Sequence, residues 1–290
     1  MKSNQNSLFD RLDSYFKKLD GIQLEKNDLF STFEDKERYE THFMYAIRKY
    51  NAAVYHFNQV MKYLEKDKAR VETMEIKAKD SEKFNVDIPT NSIKMTYSTR
   101  KISNHYFYEF SAFMEALKSA IDFLAAACEP HIKGIDFDSI TTLIKLVRKG
   151  VSNPIIDAVK KNLKELQHIR EYRHHVVHRI IFNINTINEK TIFDDKEFSA
   201  RSPVMVPVDP PKYEPDTRRS RMIEGDNDIS HSESILKING KIVEYEKKFI
   251  IPEGYKPIEV FMNEKLNICE SFFQNMIDAL DSLNFSIIST

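Results

Sequence analysis

The sequence predicts a mainly α-helical fold: an antiparallel helical bundle with a small β-hairpin and loop insertion before its last helix. Three observations lead there. Three long segments repeat apolar residues at alternating steps of three and four, which lays one stripe along one face of an α-helix. Residues 181–256 break that period with strand-like alternation and a crowd of prolines between Pro203 and Pro215. The composition, 41% hydrophobic and 30% charged over 290 residues, suits a folded chain with a sizeable core.

The elements follow in order. Leu8, Leu12, Tyr15 and Leu19 share a face and Gly21 ends the pattern, so residues 1–30 read as an N-terminal helical segment. Ser31 and Glu34 form a capping box for the first long helix. Its stripe is Phe43, Ile47, Tyr50, Val54, Phe57, Met61 and Leu64. Residues 66–100 are polar, lack a period and are expected to be irregular. The second stripe is Phe107, Phe110, Met114, Leu117, Ile121, Leu124 and Cys128, widened by Phe113, Ala116 and Ala120. That width favours packing into a globular bundle over a two-stranded coiled coil.

Asp138 to Val147 reads as a short helix stopped by Gly150 in the C′ role. Asn153 and Pro154 read as N-cap and first helical residue, with Asp157 in the first turn. They open a helix traced by Ile155, Val159, Leu166, Ile169 and Val176. Phe182 to Ile187 alternates as a strand, and Ser234 to Tyr245 reads as a hairpin turning at Asn239-Gly240. Arg218-Arg219-Ser220-Arg221 is either a solvated loop or a contact to RNA or a partner. Met262, Leu266, Cys269, Phe273, Met276, Leu280 and Leu283 form the closing stripe. The expected layout is an N-terminal helix over 1–30, a helical bundle over 31–180 plus 257–286, and an insertion over 181–256.

Several classes are disfavoured. With 43 basic and 44 acidic residues, no global positive field recruits nucleic acid, so any polyanion must meet a local patch. Cys128 and Cys269 stand far apart in apolar patterns and read as inert buried thiols. The polar start, Met-Lys-Ser-Asn-Gln-Asn-Ser, lacks the apolar core of a signal peptide. The longest fully apolar run, Phe123 to Cys128, is too short to span a bilayer. The expectation is a cytoplasmic protein without a membrane partner.

The most informative stretch is Ile169 to Arg179, in which six of eleven residues are Arg or His. Such cationic chemistry on an amphipathic helix is costly to bury unless an anion belongs there. Arg170, His174 and His178 are four apart and stack on one face; Arg173 and His178 are five apart, about 140° from each other on an ideal helix. His174 and His178, with His168 nearby, could grip a metal, but no acidic residue completes the set and three arginines repel a dication. A second reading is acid–base chemistry on a phosphodiester. There a histidine moves the proton, an arginine stabilises the phosphorane-like charge, and neighbouring cations favour the neutral imidazole. A third reading is structural: a cationic helix end pairs with acidic neighbours and with the helix dipole.

Arg173-His174-x-x-x-His178 resembles the R-x4-6-H signature of the HEPN superfamily, including the polar residue after the arginine. The setting is similar too: the motif lies late in a helix, after a helix of the Phe107–Cys128 type, and a closing helix follows. The resemblance covers roughly 31–180 plus 257–286. It implies a HEPN-like helical bundle, a homodimer whose cleft forms where two motif helices meet, and metal-independent endoribonuclease activity without a cofactor. It further implies an antitoxin or defence partner protein. Arg173 would bind the scissile phosphate, His178 would be the catalytic acid/base, and His174 would support them. Arg170 and His175 give an alternative register, with Glu171 a poorer match after the arginine. Ile180 stands where the R-x4-H-x-Y toxin pattern has tyrosine. The alternative is a non-catalytic HEPN-like module that binds nucleotide, RNA or protein in the same groove.

Overall fold

The computed structural model describes residues 33–79, 95–102, 104–132, 139–178, 181–182, 185–193, 196–210, 222–223, 231–238 and 241–283, with Ser14, Tyr15 and Lys17 in helical conformation before them. Side chains are described for Ser14, Tyr15 and Lys17 and over 34–67, 104–132, 139–176, 202–210 and 249–283. Helices dominate: α1 (Phe33–Lys79), α2 (Asn104–Ala126), α3 (Ile140–Arg148), α4 (Pro154–Lys161), α5 (Leu163–His178) and α6 (Ile258–Ser282). Among the described residues, no helix is long and apolar enough to cross a membrane. Ser31 of the expected capping box and most of residues 1–30 lie outside the described residues; Glu34 and Asp35 do occupy the first turn of α1.

The apolar stripes of α2 and α6 are buried as read, Phe107 alone being half-buried. In α1 the seam is shifted. Tyr39, Phe43, Ala46, Tyr50, Ala53, Phe57 and Val60 are buried, whereas Ile47, Val54, Met61 and Leu64 are half-buried. Alanines at alternate seam positions let a neighbouring helix come close, and the larger aliphatic residues flank the contact. A reading that follows residue size picks the flank.

Two further expectations are corrected. Residues 66–79 are not irregular: α1 runs unbroken to Lys79, because Ala, Glu, Lys, Arg and Met are strong helix formers even without an apolar stripe. The next segment then forms β1 (Met95–Ile102), rich in Thr, Tyr and Ile, which favour strands. The helix expected from Ile155 to Val176 is two helices. They part at Asn162, whose side chain donates to the Ala158 carbonyl (2.9 Å) and draws that residue out of the regular ladder.

The short-range signals held. Asn153 caps α4, its side chain accepting from the Ile156 N–H at 2.9 Å. Gly150 ends α3 at φ 77, and the bonds Gly150 N to Val147 O and Val151 N to Leu146 O make a Schellman motif. Asn153→Ala should cost about 1 kcal/mol in urea unfolding, and Asn153→Ser should restore most of it.

The described residues fall into two compact units: those within 1–55, 112–174 and 263–290 form one, and those within 56–111 and 175–262 form the other. In the first, Tyr50 packs on Phe273 (5.8 Å), Lys265 reaches Glu165 (2.9 Å), and Lys161 reaches Asn275 (3.1 Å), so α4 and α5 run antiparallel to α6. A buried polar chain also lies here: Tyr15 bonds Tyr39, whose hydroxyl is 3.4 Å from His131 Nε2.

In the second unit, His56 Nδ1 meets Glu109 (2.7 Å) and Tyr106 donates to Asp67 (3.0 Å), which sets α1 antiparallel to α2. β3 (Asn185–Phe193) is the middle strand of an antiparallel sheet, between β1 and β4 (Lys196–Arg201). β5 (Met205–Pro207) pairs with β9 (Tyr255–Pro257), and Ile258 N–H then bonds Val204 O (2.7 Å) at the start of α6. β2 (Ile181–Phe182) pairs with β6 (Met222–Ile223). The expected hairpin is present as β7 (His231–Ile238) and β8 (Lys241–Phe249), with Ile235 opposite Tyr245; Asn239 and Gly240 lie outside the described residues, as do Arg218 to Arg221.

Candidate functional site

The site is built on the last two turns of α5. Leu166, Ile169, Tyr172 and Val176 form its buried seam, so the residues between them project toward the rim. Tyr172, fully buried with its ring 5.7 Å from His168, anchors the helix and breaks the aliphatic pattern that the sequence suggested. Arg170, Arg173 and His175 are half-buried, and His174 and Glu171 are exposed. The cluster is therefore not sunk in the core. His174 reaches solvent, whereas the Nδ1 of His175 is enclosed.

Arg173 is held. Its Nε donates to Glu115 of α2, with the arginine side chain 23% and the glutamate side chain 41% exposed. The Glu115 bond raises the arginine's pKa further above its ordinary value, against partial burial, and Asp122 adds to it. Glu115, Lys118 and Asp122 follow one another at helical spacing on α2. Lys118 pairs with Asp122, which also accepts from the Ile140 N–H (3.2 Å) at the start of α3. Burial holds the Asp122 carboxyl above its usual range, while Lys118, Ile140 and Arg173 pull the other way. The polar ridge of α2 thus fixes one arginine of the cluster and one helix terminus.

Sequence reasoning missed Glu115, Lys118 and Asp122. The signal was present: three charged residues at steps of three and four beside the apolar stripe of the helix mark a rim that faces other polar groups.

Of the motif residues, Arg173 and His174 belong to the first unit, and His175 to His178 belong to the second. The backbone of His178 is helical; its side chain, with Arg179 and Ile180, lies outside the described residues. Arg170, the start of the alternative register, lies one turn earlier on α5. Among the described residues, no three His, Cys, Asp or Glu side chains come together as metal ligands. No family model matches the chain, and no curated protein and no solved structure matches it.

Chemically, the arrangement within the first unit offers a fixed, always-charged guanidinium at a solvent-facing rim, next in sequence to the exposed imidazole of His174. A guanidinium has five N–H donors, of which the Glu115 bond uses Nε. An incoming phosphate would compete with Glu115 for the same charge.

Proposed function

We propose that this chain is a metal-independent endoribonuclease of HEPN type, with Arg173 and His178 as its catalytic pair. In this reading Arg173 stabilises charge on the scissile phosphate and His178 moves the proton to or from the 2′-hydroxyl or the leaving oxygen. His174 supports them, a second copy of the chain completes the cleft, and an antitoxin or defence partner restrains it. The observation that carries the reading is the position of Arg173: oriented by a carboxylate and at the accessible rim of a mainly helical fold, beside exposed His174. An arginine pre-oriented in this way loses little freedom on meeting a phosphate. The proposal is tested by incubating the purified protein with total RNA in EDTA. Cleavage leaving 2′,3′-cyclic phosphate ends is expected, and intact RNA at all protein concentrations would refute it.

A second reading, a non-catalytic HEPN-like binding module, is favoured by the same ion pair, since Glu115 already neutralises Arg173. Ile180 in place of tyrosine points the same way. Glu115→Gln separates the two. The glutamine amide oxygen can still accept from Arg173 Nε, so the orientation persists while the competing charge is removed. If the site is catalytic, RNA turnover should rise severalfold while the change costs no more than about 1 kcal/mol of stability, the usual worth of a half-exposed pair. If it is a binding module, affinity rises and no product forms.

A further inference from the structure

The rest of the molecule holds a second place suited to nucleic acid, on the outer face of α1 in the first unit. No acidic residue occurs between Glu40 and Glu65, although acids and bases balance over the whole chain. Within that run, Arg48 and Lys49 are exposed. Tyr45 is 42% exposed and lies against Phe123 of α2, with ring centroids 5.3 Å apart. His42 stacks on the same Phe123 at 6.2 Å and 29°. Arg48 sits 5.9 Å above the Tyr45 ring. One turn earlier, Arg38 is 60% exposed and lies 3.5 Å from Glu129. Burial first, and then Arg38, lowers the pKa of His42, so near neutral pH its imidazole is an uncharged ring.

The three rings form one aromatic surface, edged by Arg38 on one side and by Arg48 and Lys49 on the other. Tyr45 and the three cations are exposed, whereas Tyr39, Phe43, Ala46 and Tyr50 carry the buried seam of α1. Ring faces accept the faces of unstacked bases, and flanking cations accept the phosphates between them. A duplex presents its bases edge-on and cannot use such a surface.

We infer that His42, Tyr45 and Phe123, with Arg38, Arg48 and Lys49, form a stacking platform for an unpaired stretch of RNA, separate from the Arg/His cluster of α5. The choice of RNA over DNA rests on the ribonuclease reading above; the choice of a single strand rests on the ring and charge arrangement.

The test is fluorescence anisotropy with labelled oligouridylate, an RNA duplex and oligothymidylate, on the full chain. Tyr45→Ala should weaken oligouridylate binding roughly 5- to 100-fold. Tyr45→Phe should bind as wild type, since stacking needs the ring and not the hydroxyl. Arg48→Ala should lower the salt slope by about one. Because Arg48 is exposed, its variant should melt with the wild type; Tyr45→Ala gives up the Phe123 ring contact and should melt slightly lower, with Tyr45→Phe as the control that keeps it. Unchanged binding by Tyr45→Ala and Arg48→Ala would overturn the platform, as would duplex binding equal to the single strand, which would indicate a non-specific cationic surface. Oligothymidylate bound as tightly as oligouridylate would overturn RNA as its occupant. Loss of Tyr45→Ala self-association without loss of RNA binding would make it a contact between copies of the chain, and would also overturn the inference.

The two proposals fail separately. Arg173→Ala and His178→Ala should keep the Tyr45-dependent binding. If that binding is present and no RNA is cut, the platform stands and the ribonuclease reading falls. If RNA is cut and Tyr45→Ala changes nothing, the reverse holds.

Discussion

Arg173→Ala is expected to lower RNA cleavage by about 10²–10³-fold, the usual cost of removing one preorganised donor at a developing negative charge. The fold should survive, because Arg173 is half-buried and its partner Glu115 is 41% exposed and can turn to solvent. Arg173→Lys should recover little, since an ammonium cannot reproduce the forked, planar contact with phosphate oxygens. Single-turnover cleavage measured beside a thermal melt would read both effects. Loss of cleavage with an unchanged melt supports a role in the reaction. A large drop in melting temperature with any residual cleavage in proportion to folded protein would place Arg173 in the architecture alone.

Phe273→Ala should be among the most damaging substitutions in the fold. Phe273 is 1% exposed on α6 and packs against Tyr50 of α1. Truncating a buried phenylalanine removes transfer free energy and leaves a cavity, together about 3–5 kcal/mol. Within a total stability of about 5–15 kcal/mol, that is a large fraction. Urea unfolding should show a lower midpoint at an unchanged slope. A loss below about 1 kcal/mol would mean that the seam between α1 and α6 is not the packed contact described above.

Much of the helical fold was legible because burial writes a period into the sequence. The α2 and α6 stripes and the Asn153 and Gly150 signals are each set by residues within a turn or two of one another. Two of the failures share a cause: the deciding contacts come from elsewhere in the chain. The α1 seam runs through Ala46 and Ala53, which look unimportant until a neighbouring helix is present. Strand β1 is specified by pairing with β3, more than eighty residues later in the chain. The polar run from residue 66 to Lys79 carries no stripe, and only propensity marks it as helix.

The site divides in the same way. The clustering of Arg170, Arg173, His174, His175 and His178 is a property of one helix and could be read directly. That Arg173 would face Glu115 could not, because it depends on how α2 and α5 meet within the first unit. Glu115 also changes what Arg173 means: the residue is already balanced by a carboxylate, and a phosphate must compete for it.

Whether His178 moves a proton in RNA cleavage is decided by comparing cleavage of an RNA substrate in EDTA by wild type and by His178→Ala at equal concentration. The wild type is expected to cut, and the variant to be slower by about 10²–10⁴-fold, the contribution of one general acid or base. Equal rates for the two proteins would contradict it.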